Sequence, residues 1–408
     1  MMDQVEIPEY FICPISLQIM KDPVTAVTGI TYDRESIERW LFTSNNTTCP
    51  VTKQTLPLDS DLTPNHTLRR LIQAWCTQHA SLGVDRIPTP KPPLDKFQVL
   101  KILSHLRSSH LYLKALQHLE LLAAENERNR KFLVEAGVPK AMVLFILDCF
   151  KKRQIREGLE EALSLLQFVK IPPEEITLLL QQNDQVLDSL TWVLGFEIVD
   201  NSVTLKSHAI TVLKNIVQKA SSGVMERLKP EFFETIVKVL RNGISLQGMN
   251  AGLKVLLAAC PWGRNRELMV KSGAVHELIE IELGMPEKRT TELILEIQFH
   301  LCSCANGRAQ FASHRGGIAV LTDRILKVSP AADERAIFVL SLVSKSSASQ
   351  VIIQEMVQLG TLCKLCMLLQ ADHPSYLKDK AMEILKSHSE VWKNSPCFPA
   401  SFNASFHR

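Results

Sequence analysis

The sequence predicts a mostly α chain in two parts, a small α+β module followed by a long α-solenoid built from repeats. Three observations predict it. Composition comes first: 408 residues, 46% hydrophobic and 22% charged, with only 6% aromatic residues and 16 Gly. That balance is typical of folded chains and poor material for a large β-sandwich or barrel. The second is a break in the pattern. Residues 83–95, GVDRIPTPKPPLD, contain Pro88, Pro90, Pro92 and Pro93, a density that forbids helix and favours an extended, semi-rigid spacer. The third is an internal period beyond that spacer, and repeats decide architecture before anything else.

The period shows in two features running in phase. A small residue followed by an aliphatic four later recurs at Ala115/Leu119, Ala162/Leu166, Ala209/Leu213, Ala251/Val255, Ala336/Leu340 and Ala381/Leu385. The alanines are spaced 47, 47, 42, 85 and 45 residues apart, and the 85 spans two periods, with the missing unit at 292–301, ELILEIQFHL. NRKFLVEAGV (129–138) also resembles NRELMVKSGA (265–274), and looser copies end at Gly316 and Gly360. Gly137, Gly273, Gly316 and Gly360 therefore mark turns for which a left-handed backbone is expected. Two further turns fall at Asn183–Asp184 and Lys229–Pro230, residue types that stop or start helices. A period of 41–47 residues with two or three helices per unit is that of armadillo or HEAT stacks, and the short-helix, Gly, long-helix rhythm resembles armadillo repeats more closely. The expected layout is a module at 5–80, a Pro-rich linker at 81–95, about six to seven degenerate repeats at 96–386, and a disordered tail at 387–408.

Within the module, a loop around Cys13 leads into a hairpin through Val24–Val27 that turns at Thr28–Gly29. Asp33 is expected to cap a helix starting at Arg34, with Glu35 favourable in its first turn. Ile37, Trp40 and Leu41 share one helical face. A second loop, CPVTKQTL, follows. Asn65 then caps a closing helix whose Leu68, Leu71, Ile72 and Trp75 face inward. Ile7, Met20, Val24, Tyr32, Ile37 and Leu41 read as core, and Asp22–Pro23 as the turn before the hairpin.

Two loops flanking a short helix suggest a zinc-stapled layout, but such a cross-braced site needs about eight Cys or His. The window holds Cys13, Cys49, Cys76, His66 and His79. No metal and no cofactor are expected. Hydrogen bonds and ion pairs from Asp22, Asp33, Arg34, Glu35, Lys53, Ser16, Thr31 and Thr52 must hold the loops instead.

These residues carry a resemblance. IPxxFxCPISLxxMxDPV, TGxTYDRxxIxxWL, CPVTxQxL and PNxxLRxLIxxW resemble the U-box over about 70 residues. With the proline linker and the repeats, the whole chain resembles plant U-box/armadillo ubiquitin ligases. It is most similar to the short subgroup linked to immune and drought responses, whose tail SEVWKNSPCFP resembles. The resemblance implies a RING-type ligase without a covalent ubiquitin intermediate. The module would recruit a ubiquitin-charged conjugating enzyme through Ile15 and Leu17, Trp40, and Pro50. Lys53 would be the second-loop cation favouring the closed conjugate, where relatives often carry Arg. A protein substrate would occupy the armadillo groove, and the reading also admits self-association. Judged by the residues alone, Ile15 reads as a core residue before a contact. Trp40, about 60° from Ile37 on the helical wheel, sits at the edge of the apolar face, where a half-buried aromatic could anchor a partner. Lys53 is equally an internal salt bridge or a solvated lysine. A rival reading is an armadillo scaffold or adaptor with a weak or silent U-box.

Other constellations carry less. The formal charge of +3 is too balanced for nucleic-acid binding driven by bulk charge, although residues 1–80 carry −3 and the remainder +6. Cys363 and Cys366 form a CxxC, but their helical setting makes them small apolar residues, as are the cysteines of HLCSC (300–304). KKRQIR (151–156) reads as a solvated turn, with an acidic-partner patch as the alternative. The five Trp show none of the period that a nuclear-import groove requires. No phosphate-binding Gly motif is present, and no apolar run approaches the roughly 18 residues of a membrane span. The acidic start MMDQVEIPEYF lacks an apolar core, so a reducing, cytoplasmic compartment with free thiols is expected.

Overall fold

In the computed structural model of the chain, residues 6–43, 46–56, 62–82, 84–85, 94, 96–108, 110–196, 202–345 and 349–392 are described. The four prolines of the spacer and residues 393–408 lie outside them. Contacts divide the chain into two compact units: Met1–Ala141 with Phe168–Lys170, and Met142–Gln167 with Ile171–Arg408.

The first unit opens with the module. Strands β1 (Pro23–Thr25) and β2 (Thr31–Asp33) pair antiparallel with Val24 opposite Tyr32. β3 (Thr63–Pro64) adds to the other side of β1, in the order β2-β1-β3. The hairpin turn uses Gly29 at φ +80°, a conformation that side chains resist. Helix α1 (Arg34–Glu38) follows β2 directly and continues as a wider turn over Arg39–Thr43. Helix α2 (His66–Gln78) closes the module, capped by the Asn65 side chain accepting from the Leu68 amide at 3.0 Å. Its core gathers Phe11, Met20, Val24, Tyr32, Ile37, Leu41, Leu56 and Ile72, with Cys13, Cys49 and Cys76 among them.

Three expectations are corrected here. Ile7 is 39% exposed and Leu71 51% exposed, so neither is core; Ile7 precedes the first packed turn, and Leu71 lies beside the buried Ile72 on the outer face of α2. Asp33 stands at the start of α1 but does not cap it. Its carboxylate instead accepts from the Lys21 and Asp22 amides at 2.7 and 2.9 Å.

After the module, α3 (Lys96–His105) packs on α4 (Tyr112–Glu125) in the same unit. From α4 onward the chain runs in three-helix turns. The last helix of each turn carries the recurring alanine, and in all but the second it is the longer one: Tyr112–Glu125, Leu159–Phe168, Ser202–Val217, Leu246–Ala259, Pro330–Ser344 and Ser375–Ser387, with Lys288–Cys302 supplying the unit that lacks it. All six alanines and their aliphatic partners are buried. In the second unit, the five long helices from Ser202–Val217 to Ser375–Ser387 pack each on the next. The expectation of disorder from residue 387 fails where it can be checked. Ser389–Trp392 is a helical turn, and Trp392 is fully buried.

Gly137, Gly273 and Gly360 have positive φ, as the repeat predicts, but Gly316 does not. A side chain at Gly316 or Gly317 would meet Leu283 or Phe311 at 2.9 Å. Crowding is firmer at Gly317, where an added Cβ would also lie 3.1 Å from the Phe311 carbonyl oxygen. The tightest approach is at Gly307, where an added Cβ would lie 1.9 Å from the Leu301 carbonyl oxygen. Backbone cannot yield that far locally, so Gly307→Ala is expected to destabilise the second unit by about 3 kcal/mol or more, read as a lower denaturant midpoint.

Polar links tie successive turns together. The Ser245 hydroxyl meets Ser207 at 2.8 Å, Thr290 donates to Asn250 at 3.0 Å, and Ser329 donates to Glu292 at 2.8 Å. In each case the start of one long helix reaches back to the long helix before it. The Cys304 sulfur accepts from the Gly307 amide, which makes it a helix cap rather than a core residue.

Candidate functional site

The module's two loops are copies of one design. CPISLQ (13–18) and CPVTKQ (49–54) share Cys-Pro, an aliphatic, a hydroxyl residue and a final Gln. Each is a closed turn. The Cys13 amide donates to Gln18 O at 2.8 Å, and the Cys49 amide to Gln54 O at 2.8 Å. The Leu17 amide returns to Cys13 O at 2.9 Å, and the Lys53 amide to Cys49 O at 3.0 Å. Leu17 and Lys53 accordingly sit at φ 55° and 60°, a left-handed backbone that costs about 1–2 kcal/mol without glycine. Single antiparallel bridges, Ile12 to Ile19 and Thr48 to Thr55, close the two loop bases.

Strand β2 holds both loops with consecutive residues. The Asp33 carboxylate grips the first loop's exit through the Lys21 and Asp22 amides, and the Asp33 amide donates to Cys13 Sγ at 3.3 Å. Arg34 Nε donates to Asp22 Oδ2 at 2.6 Å. The Tyr32 hydroxyl lies 2.9 Å from Cys49 Sγ, which Thr28 Oγ1 and the Thr52 amide also approach at 3.4 Å. The helix joins the second loop through Trp40 Nε1, which donates to the Thr48 carbonyl at 2.9 Å.

Of the polar groups expected to hold the loops, Asp22, Asp33, Arg34, Thr52 and Ser16, which bonds Cys13, do so. Thr31 meets Thr25 within the hairpin at 2.9 Å. Glu35 pairs with Arg39 out on the surface. Among the described residues no acidic side chain pairs with the Lys53 ammonium. The sequence reading assigned the thiols no role, yet they are the acceptors on which both loops close. The repeated Cys-Pro pattern was the signal.

Burial pushes the Cys49 thiol up, but the hydrogen bonds from Thr28, Thr52 and Tyr32 outweigh it and bring it down to about 6 from 9.0. Tyr32 moves the opposite way, through burial and then through its bond to Cys49, and keeps its proton. Burial raises Cys13 too, and amides including those of Ser16 and Asp33 bring it below its ordinary value. A group depressed on folding contributes its full stability above the free thiol's range and loses it as pH falls through the folded value. The opening free energy of the Cys49–Gln54 amides is therefore expected to rise between pH 5.5 and 8.5. Hydrogen exchange measures it, and Cys49→Ser, which keeps an acceptor that does not titrate, should flatten the rise.

The residues expected to form a contact surface lie on this frame. Leu17 is 76% exposed at the tip of the first loop. Ile15 and Trp40 are half-buried, each packed against the module core with one side open. Pro50 is half-buried, and Lys53 is exposed at the position matching Leu17. The sequence reading missed Val51, the second-loop counterpart of Ile15, which is 49% exposed. Cys13, Cys49 and Cys76 are all buried, so no thiol of the module is placed to carry an acyl group.

Comparison with known proteins follows the same division. Residues 7–81 match the U-box domain, and residues 98–407 match the plant U-box protein ARM repeat region. The chain is 44% identical over 439 residues to the E3 ubiquitin-protein ligase PUB24 of Arabidopsis thaliana, covering 97% of this chain and 95% of that protein. Identity to the E3 ubiquitin-protein ligase PUB23 of the same organism is 42% over 403 residues, covering 97% and 96%. Among solved structures, an engineered protein aligns with a TM-score of 0.52 at 16% identity over 71% of this chain and 67% of that one, a likeness of fold alone.

Proposed function

The chain belongs to the plant U-box family with an armadillo repeat region and is a U-box E3 ubiquitin-protein ligase; from that premise we propose that its module receives a ubiquitin-charged conjugating enzyme on Ile15, Leu17, Trp40 and Pro50. The observation that carries the proposal is the pair of closed loops. Two hydrogen-bonded turns spend left-handed backbone to hold Leu17 and Lys53 outward, with Ile15 and Val51 beside them. Exposed apolar side chains on a rigid frame are what a hot spot requires.

The reaction is aminolysis of a thioester. The neutral amine of the substrate lysine attacks the carbonyl joining ubiquitin to the conjugating enzyme's cysteine; the isopeptide bond forms as that cysteine leaves as thiolate, and the amine's proton passes to the thiolate or to water. This chain contributes proximity and restriction of the conjugate rather than acid–base chemistry. Its long helices present the protein to be modified, and the cytoplasm is where we place the reaction.

Lys53 holds the conjugate closed by donating to both ubiquitin and the enzyme. A lysine is a point charge, whereas arginine offers a planar fork. Lys53→Arg is expected to raise the initial rate of chain formation severalfold, and Lys53→Ala to lower it by a similar factor. The test is reconstitution of the full chain with activating enzyme, a panel of conjugating enzymes, ubiquitin and ATP. Chains on the protein or a partner support the reading. No chains and no conjugating-enzyme binding across the panel would leave an adaptor with a silent module.

A further inference from the structure

A groove of about 450 Å³ runs between α3 and α4, both in the first unit. Its floor is apolar, with Ile102, Leu111 and Leu122 among the lining residues. Its titratable lining is entirely basic: Lys101 and His105 on α3, Lys114 and His118 on α4. Among the described residues none of the four has an acidic partner, although acids pair with bases elsewhere on the chain, as at Asp148 with Lys152 and Arg156. Within each helix the two bases stand four residues apart, about 6 Å along the axis.

From this arrangement we infer that the groove docks an acidic segment of a protein partner that carries an apolar anchor side chain. Charge complementarity selects the class. Two lysines, with no acidic partner among the described residues, stand beside an apolar floor and raise the local concentration of carboxylates, and the two histidine rings add hydrogen-bonding groups to the rims. The volume lies in the range of pockets that enclose a bound group. An extended segment repeats its side chains on one face every 6–7 Å, which matches the spacing of bases on each rim. With the apolar face of the segment on the floor, its alternate carboxylates lie at the mouth of the groove, within reach of the flexible lysine on each rim. The inference concerns binding alone and does not rest on the module's role.

The experiment uses the full chain and a labelled ten-residue peptide alternating Glu with Leu and Phe. Fluorescence anisotropy at low and at 0.5 M salt reads the affinity. Binding is expected, weakening severalfold with salt and at least tenfold in Lys101→Glu/Lys114→Glu, two exposed positions where the fold is not at stake. A Gln-for-Glu peptide and a Ser-for-Leu/Phe peptide should each bind at least tenfold more weakly. A phosphoserine version tests whether phosphate serves in place of carboxylate, and vesicles of phosphatidylserine test a lipid source. The inference is overturned if no acidic peptide binds, if the Gln peptide or the vesicles bind as well as the acidic peptide, or if the double charge reversal leaves affinity unchanged.

Discussion

Ile15→Ala is expected to cut ubiquitin-chain formation at least tenfold while leaving the module folded. Ile15 follows Cys-Pro in the first loop and is only half-buried, so its truncation removes some packing against the module core. That cost is about 1 kcal/mol, because only part of the side chain is enclosed. The lost contact area with a partner is another matter, since a central apolar anchor carries about 2 kcal/mol or more of binding. Leu17→Ala separates the two effects more cleanly. Leu17 is 76% exposed, so any loss of activity there cannot be traced to a core defect. Trp40 makes a poorer first test. Its indole donates to the Thr48 carbonyl and so helps hold the second loop; Trp40→Ala mixes loop disorder with lost contact, whereas Trp40→Phe keeps a ring and drops the bond. The measurement is initial chain-formation rate beside the thermal midpoint, with several conjugating enzymes. Full activity in Ile15→Ala/Leu17→Ala with all of them would place the contact surface elsewhere.

The site was legible in part, and the reason divides along chemical lines. The family resemblance pointed to Ile15, Leu17, Trp40 and Lys53, and the fold leaves Leu17 and Lys53 exposed and Ile15 and Trp40 half-buried. Local sequence could not locate what holds the loops. The Asp33 carboxylate was assigned to a helix cap because that is what Asp does locally at a helix start. In the fold the Lys21 and Asp22 amides, twelve and eleven residues away, compete for it and win. The thiols of Cys13 and Cys49 were dismissed for want of zinc ligands, although a buried sulfur also accepts hydrogen bonds from amides and hydroxyls. The repeats were more legible still, since each unit's alanine and aliphatic lie on a face buried by the neighbouring helix. The exceptions are where tertiary packing replaces local conformation: Gly316 lacks the left-handed backbone, its neighbour Gly317 stands against Phe311, and Trp392 is buried beyond the expected end of the stack.

Arg324→Ala is expected to be the most costly substitution in the repeats outside the tight glycine. The Arg324 side chain reaches from the end of helix Gly317–Arg324 to the end of helix Ala274–Leu283 in the turn before. Its Nε donates to Glu282 Oε1 at 2.6 Å and its Nη2 to the Glu282 carbonyl at 2.8 Å. Thr291 adds a third donor at 2.9 Å. The Glu282 side chain is fully buried, and burial pushes its carboxyl up despite these bonds. Removing the guanidinium strands a carboxylate away from water, for a loss of about 3–5 kcal/mol. The sign with pH identifies the cause. A carboxyl raised on folding binds its proton more tightly in the folded state, so lowering the pH stabilises the fold at this site. Arg324→Ala should therefore recover part of its loss between pH 7.5 and 5, against the usual trend for paired acids. Adding Glu282→Leu to Arg324→Met should restore stability to near that of the parent, because well-packed apolar residues replace a buried pair at little net cost. Hydrogen-exchange protection of the two helices measures all three variants. If Arg324→Ala loses less than about 1 kcal/mol, water already reaches Glu282, and the link between these turns rests on apolar packing alone.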